Sequence, residues 1–128
     1  MAEMIMKYLV KQCGCEDGIY IDSAGTSSEE LGNPIYPNTR LVLMKNDIPC
    51  GEHFARKMTQ TDYTSFNYII CMEDSNIRGV LRIVGEDKKN KIYKLLDFSN
   101  NSRDIDDPWY HRDFDRTFSE ISEGCEAF

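Results

Sequence analysis

Residues Tyr68-Ile69-Ile70-Cys71-Met72 form an unbroken apolar run, and no other part of the chain restricts its fold so tightly. A strand with one wet face alternates apolar and polar residues, whereas a strand covered on both faces does not. The run therefore predicts a strand sandwiched between layers of helices. Asp74 and Ser75 follow at once and can cap a helix carrying Ile77, Val80, Leu81 and Val84. Beyond it, Ile92-Tyr93-Lys94-Leu95-Leu96 reads as another strand. Strands that alternate with helices imply an α/β fold with a mostly parallel sheet.

The remaining segments extend this pattern. Ala2, Ile5, Met6, Leu9, Val10 and Cys13 recur at helical spacing, and Gly14 follows as a stop. Ile19-Tyr20-Ile21 predicts a short strand ending in the polar turn Asp22-Ser23-Ala24-Gly25. A loop from Thr26 to Tyr36 contains Gly32-Asn33-Pro34, and Pro37 suits the first turn of a helix reaching about Lys45. A long polar loop is expected from Ser99 to Tyr110, and Phe114, Phe118, Ile121 and Cys125 give an amphipathic helix after it. The first helical pattern starts at residue 1 with no strand before it. A free amino group there opposes the helix dipole at a cost of about 0.3–1 kcal/mol. The expectation is that the opening strand of the sheet belongs ahead of Met1.

The 128 residues suit a single domain over residues 1–128, large enough to bury a core. A net charge of −7 argues against nucleic acid as a partner, because a phosphate backbone needs a basic stripe. It leaves open a single phosphate monoester, which a few local donors can hold. No stretch is long and apolar enough to predict a membrane span, and Glu3 and Lys7 interrupt any signal-peptide pattern. Five cysteines (Cys13, Cys15, Cys50, Cys71 and Cys125) without framework spacing predict reduced thiols and a cytoplasmic protein. Cys13-Gly14-Cys15 has no matching Cys/His pair elsewhere, so no metal site is expected. Cys50 to Arg56 satisfies Cys-x5-Arg by count, but it follows no apolar strand and holds one glycine. A phosphate-binding loop needs converging N–H groups and the backbone freedom of glycine, so this segment is expected to be inert.

Four segments together are more specific. They are Met1-Ala2-Glu3-Met4; Asp22-Ser23-Ala24-Gly25-Thr26-Ser27 with Gly32-Asn33-Pro34; His53-Phe54-Ala55-Arg56 with Asp62-Tyr63 and Tyr68 to Asn76; and Asp106-Asp107-Pro108-Trp109-Tyr110 with Asp113-Phe114. In this order and spacing the chain resembles the bacterial branch of the low-molecular-weight protein tyrosine phosphatases. The resemblance implies a three-layer sandwich around a short parallel sheet, four-stranded in the family, whose first and central strand would precede Met1. That strand leads into a Cys-x5-Arg-Ser-Pro loop, where the cysteine attacks phosphorus and backbone N–H groups cradle the phosphate. Met1 falls where the residue after that proline belongs, so residues 1–128 alone are expected to be inactive.

The resemblance also assigns roles. Asp107 would be the general acid, needed because a phenolate of pKa about 10 leaves poorly unless protonated. Pro108 would restrict it, and Asp106 would raise its pKa. Trp109 and Tyr110 would grip the substrate ring, with Leu31 in the Ser27–Leu31 loop forming another wall, and Tyr110 could itself be phosphorylated. The Glu29-Glu30 pair departs from relatives that carry an aromatic residue in that loop. Ser23 and His53 would hold the phosphate loop from beneath, with Glu73 as the acidic partner of His53. The implied substrate is a phosphotyrosyl protein or a small aryl phosphate, with no cofactor. Two further readings remain beside it: a non-catalytic phosphotyrosyl-protein or partner-binding module, and an arsenate reductase of the same fold. The latter would need additional redox cysteines near Cys71–Asn76.

Overall fold

β1 (Ile69–Cys71) and β2 (Ile92–Lys94) pair in parallel, Ile69 opposite Ile92 and Cys71 opposite Lys94. The structure is a computed structural model that describes residues 1–128. α4 (Asp74–Val84) makes the crossover. Its N-cap is Glu73, one residue before the expected Asp74-Ser75, because the Glu73 and Met72 N–H groups both donate to Asn76 Oδ1 at 3.1 and 3.2 Å. Ile70 and Met72 pack into one apolar cluster, and Ile69 and Cys71 into another. The strand is thus covered on both faces, as its unbroken apolar run requires.

The larger cluster joins Met4 and Ile5 of α1 (Ala2–Gln12), Leu43 of α2 (Pro37–Lys45), and Ile121 and Cys125 of α6 (Phe114–Ala127). The second holds Met58, Cys71 and Val80. The expected strand Ile92–Leu96 is shorter than predicted. After Lys94 the chain tightens into a 3₁₀ turn, Leu95–Phe98, in which the Lys94 N–H donates to Asp97 Oδ2 at 2.9 Å. The turn delivers Leu95 and Leu96 into the core. Gly124 of α6 lies so close that a Cβ there would sit 2.4 Å from Leu95 Cγ.

Two further expectations need correction. α3 (Gln60–Ser65) was not anticipated, because Gln-Thr-Asp-Tyr-Thr-Ser has no apolar period; its signal is the Thr59-x-x-Asp62 capping box, with Thr59 N–H to Asp62 Oδ2 at 2.9 Å. Ile19–Ile21, expected as a strand, runs without a ladder partner, and the sheet therefore has two strands. Beside it lies a cleft of about 1370 Å³, whose walls include Ile19 to Thr26 and Tyr68 to Glu73. No helix is long and apolar enough to cross a membrane.

Local bonds fix the wall formed by residues 22–25. Gly25 bridges the 56–58 segment, its N–H donating to the Arg56 carbonyl and its carbonyl accepting from Met58, both at 2.8 Å. The Arg56 guanidinium then spans Asp22 at 3.0 Å and Asp62 at 2.9 Å, tying the turn to α3. α1 is anchored by Glu3, whose carboxylate is buried. It accepts from Lys7 Nζ at 2.7 Å and from Ser23 Oγ at 2.5 Å, and His53 Nδ1 lies 3.3 Å away. Burial alone would raise this carboxyl, but the bonds from Lys7 and Ser23 and the charge of His53 outweigh it and hold the pKa below its usual 4.5.

Gly124→Ala is expected to destabilise the protein by about 1–3 kcal/mol, since Leu95 has no room to retreat; thermal melting should show a loss of several degrees. The Glu3 network predicts a pH dependence. A carboxyl whose folded pKa is depressed contributes stability above its unfolded value, and loses it as pH falls through the lower folded value. Glu3→Gln should therefore lower the melting temperature near neutral pH and flatten its acid limb below about pH 4.5. Parallel melting curves for the two proteins across that range check it.

Candidate active site

Pro108 opens the one-turn helix α5 (Pro108–His111), and Asp107 is its N-cap. Proline at the first helical position needs no N–H partner and biases the preceding residue toward extended backbone. Asp107 adopts φ −65° and ψ 121°, and its Oδ1 accepts the Trp109 N–H at 2.9 Å. The bond and the proline together restrict the orientation of the carboxyl. Asp106, Asp107 and Pro108 stand along the large cleft, which Ser23, Glu73 and the head of α1 also line. Asp106 is engaged elsewhere, with Arg116 Nη2 3.4 Å from its Oδ2. The loop expected from Ser99 to Tyr110 therefore ends in a capped helical turn.

Ser23 and His53 lie together, with Ser23 Oγ 3.2 Å from His53 Nε2. The acidic partner of His53 is Glu3, not Glu73. Glu73 sits at the β1–α4 junction, where its backbone and side chain cap α4, whereas α1 carries Glu3 directly over the imidazole. Both ring nitrogens of His53 thus face oxygen atoms. Sequence reading missed Glu3 because an acidic residue in a first helical turn is ordinary.

Trp109, Tyr110 and Leu31 stand outside the cleft lining and are 56%, 83% and 59% exposed. Trp109 has a partner that the sequence did not advertise. Tyr36 meets it edge-on at 5.5 Å and stacks on Phe114 at 5.7 Å, so the aromatic wall rests on the residue that precedes α2.

The cysteines are no alternative centre. Burial pushes the thiols of Cys71 and Cys125 up to about 11, which leaves them protonated at neutral pH. Cys50 packs against the main cluster with its thiol donating to the Gly51 carbonyl at 3.8 Å, and Arg56, which would complete its Cys-x5-Arg pattern, is committed to Asp22 and Asp62. Cys13 and Cys15 are exposed at the end of α1. Glu3, Asp22 and His53 do bring possible metal-ligand atoms within 4.8 Å of one another. Lys7 and Arg56 already compensate the two carboxylates, so the group reads as a hydrogen-bonded brace.

Comparison with known proteins identifies the family. The pattern that defines the family "Low molecular weight phosphotyrosine protein phosphatase" matches residues 1–128. The low molecular weight protein-tyrosine-phosphatase YfkJ of Bacillus subtilis is 34% identical over 128 residues, covering 98% of this chain and 82% of its own length. PtpA of Staphylococcus aureus is 32% identical over 127 residues, covering 98% and 80%. The crystal structure of YfkJ superposes with a TM-score of 0.93 at 33% identity, over 98% of this chain and 80% of that one. A protein tyrosine phosphatase from Entamoeba histolytica gives 0.89 at 27% identity, over 98% and 83%. With its full length matched and its fold shared, the chain belongs to the low molecular weight protein tyrosine phosphatase family.

Proposed function

We propose that the protein hydrolyses phosphotyrosine through a cysteinyl-phosphate, with Asp107 as general acid and then general base. A cysteine thiolate attacks phosphorus, the P–O bond to the ring breaks, and Asp107 gives its proton to the departing phenolate. Water then attacks the phosphocysteine, Asp107 takes up the proton of that water, and the thiolate leaves with release of inorganic phosphate. The observation that carries this reading is the Asp107 carboxyl, capped onto the Trp109 N–H and set along the cleft.

None of Cys13, Cys15, Cys50, Cys71 and Cys125 suits the nucleophile. We assign it to a strand and Cys-x5-Arg-Ser-Pro loop ahead of Met1, with the strand running in the cleft beside β1. Support comes from the free edge of β1, from the unladdered Ile19–Ile21 across the cleft, and from the head of α1 opening onto the same space. Ser23, His53 and Glu3 then brace that loop from beneath. Arsenate reduction is disfavoured, because Cys71 is the only cysteine in its region and is buried with a raised pKa.

Residues 1–128 by themselves are expected to show no turnover of p-nitrophenyl phosphate. Turnover that Cys50→Ala abolishes would instead make the Cys50–Arg56 segment a true site. The coding sequence upstream of Met1 should specify the strand and loop in frame. In the protein that carries them, Asp107→Asn should slow phosphoenzyme formation about 10²–10⁴-fold for poor leaving groups, and far less for acidic ones. A small loss uniform across leaving groups would reduce Asp107 to a shaping role.

A further inference from the structure

Arg112 occupies a backbone conformation that ill suits it. It closes α5 at φ 63° and ψ 13°, in the left-handed region, with its N–H donating to the Pro108 carbonyl at 2.7 Å. Helix ends of this shape usually carry glycine or asparagine, and for a residue with a Cβ the conformation costs about 1–2 kcal/mol. The other non-glycine residues at positive φ are Asp47 and Asn90, types that tolerate it. Strain of this kind persists where the surroundings hold the side chain in a particular place.

That place is the aromatic wall of the site. The guanidinium lies 4.7 Å from the Trp109 ring centroid and 5.9 Å from that of Tyr36, and its Nη1 donates to Tyr36 Oη at 2.9 Å. No carboxylate lies within ion-pair distance of it. Arg56, Arg103 and Arg116, by contrast, each face two acids. In a chain of net charge −7, this cation is fixed, exposed and uncompensated. It also lines a groove of about 310 Å³ between α2 and the start of α6, together with Leu41, Val42 and Phe114. Lys45 lies in the same groove but is paired with Asp115 at 3.1 Å.

A guanidinium held beside aromatic rings, with N–H groups free of other partners, is suited to a carboxylate. We propose that Arg112 is a specificity-determining residue that selects substrates with an aspartate or glutamate beside the phosphotyrosine. The proposal rests on the phosphotyrosine reading above for the position of the substrate ring, with the flanking acid reaching from the Trp109 face toward the groove. Exposed charge pairs are worth up to about 1 kcal/mol, so the selectivity should be roughly three- to fivefold.

The chain carries one tryptophan, and its indole N–H resonance reports this site even for weak binding. The protein that carries the loop assigned ahead of Met1, its nucleophilic cysteine changed to serine, would be titrated with a phosphotyrosyl peptide flanked by glutamates, its glutamine-flanked counterpart, and the unphosphorylated glutamate peptide. The expected result is a Kd three- to fivefold lower for the glutamate-flanked phosphopeptide than for the glutamine one. The ratio should fall to about one in Arg112→Gln and in Arg112→Gly, and return in part in Arg112→Lys. Arg112→Gly also removes the backbone strain, so a lost preference there cannot be laid to misfolding. No preference in the unsubstituted chain, a preference that survives in both variants, or no binding of either phosphopeptide overturns the proposal. An Arg112-dependent preference for glutamate that ignores the phosphate would uphold Arg112 as an acid selector and sink the phosphotyrosine reading instead.

Discussion

A carboxylate enclosed by protein is strongly unfavourable unless partners replace the water it has lost. Glu3 is such a group, and the arrangement of the site follows from meeting its needs. Lys7 satisfies one oxygen from the next turn of α1, while Ser23 and His53 reach the other from two separate loops. Three segments distant in sequence are thereby drawn to one point beneath the cleft. Removing any one partner would leave an under-compensated buried charge. The group therefore specifies geometry more than it adds stability, as expected of buried polar clusters.

The second constraint is local. Asp107-Pro108 fixes the Asp107 carboxyl with only its own backbone and the Trp109 N–H, and needs no long-range contact. This explains why the placement of Asp107 was the part of the site easiest to read from the sequence. Proline geometry and N-capping act over three residues, and both are written in the residue types. The partners of His53 were harder. The resemblance put Glu73 forward, and only the tertiary placement of α1 reveals Glu3 in its stead.

The same division runs through the fold. β1, α4, α1 and α6 were legible because burial imposes a period or an unbroken apolar run on each. Ile19–Ile21 has strand composition yet no ladder, since a strand depends on its neighbour as well as on its own residues. α3 was invisible to a search for apolar period because a capping box, not burial, defines it; the Thr59-x-x-Asp62 spacing could have revealed it. Leu95 and Leu96 extended the apparent second strand because an apolar run does not distinguish a strand from a buried turn. Tyr36 left no mark, because its role beneath Trp109 exists only once α2 and α6 meet.

The union of α1 with α6 has a consequence for how the chain is made. Met4 and Ile5 find their partners Ile121 and Cys125 roughly a hundred residues downstream, so the main core joins segments synthesised far apart in time. The unit from β1 to β2 is local by comparison and can assemble as soon as Lys94 has left the ribosome. During elongation the apolar face of α1 must remain solvent-exposed, or be shielded by a chaperone, until α6 emerges. The segment that contributes the buried carboxylate to the site is therefore made long before the helix that secures it.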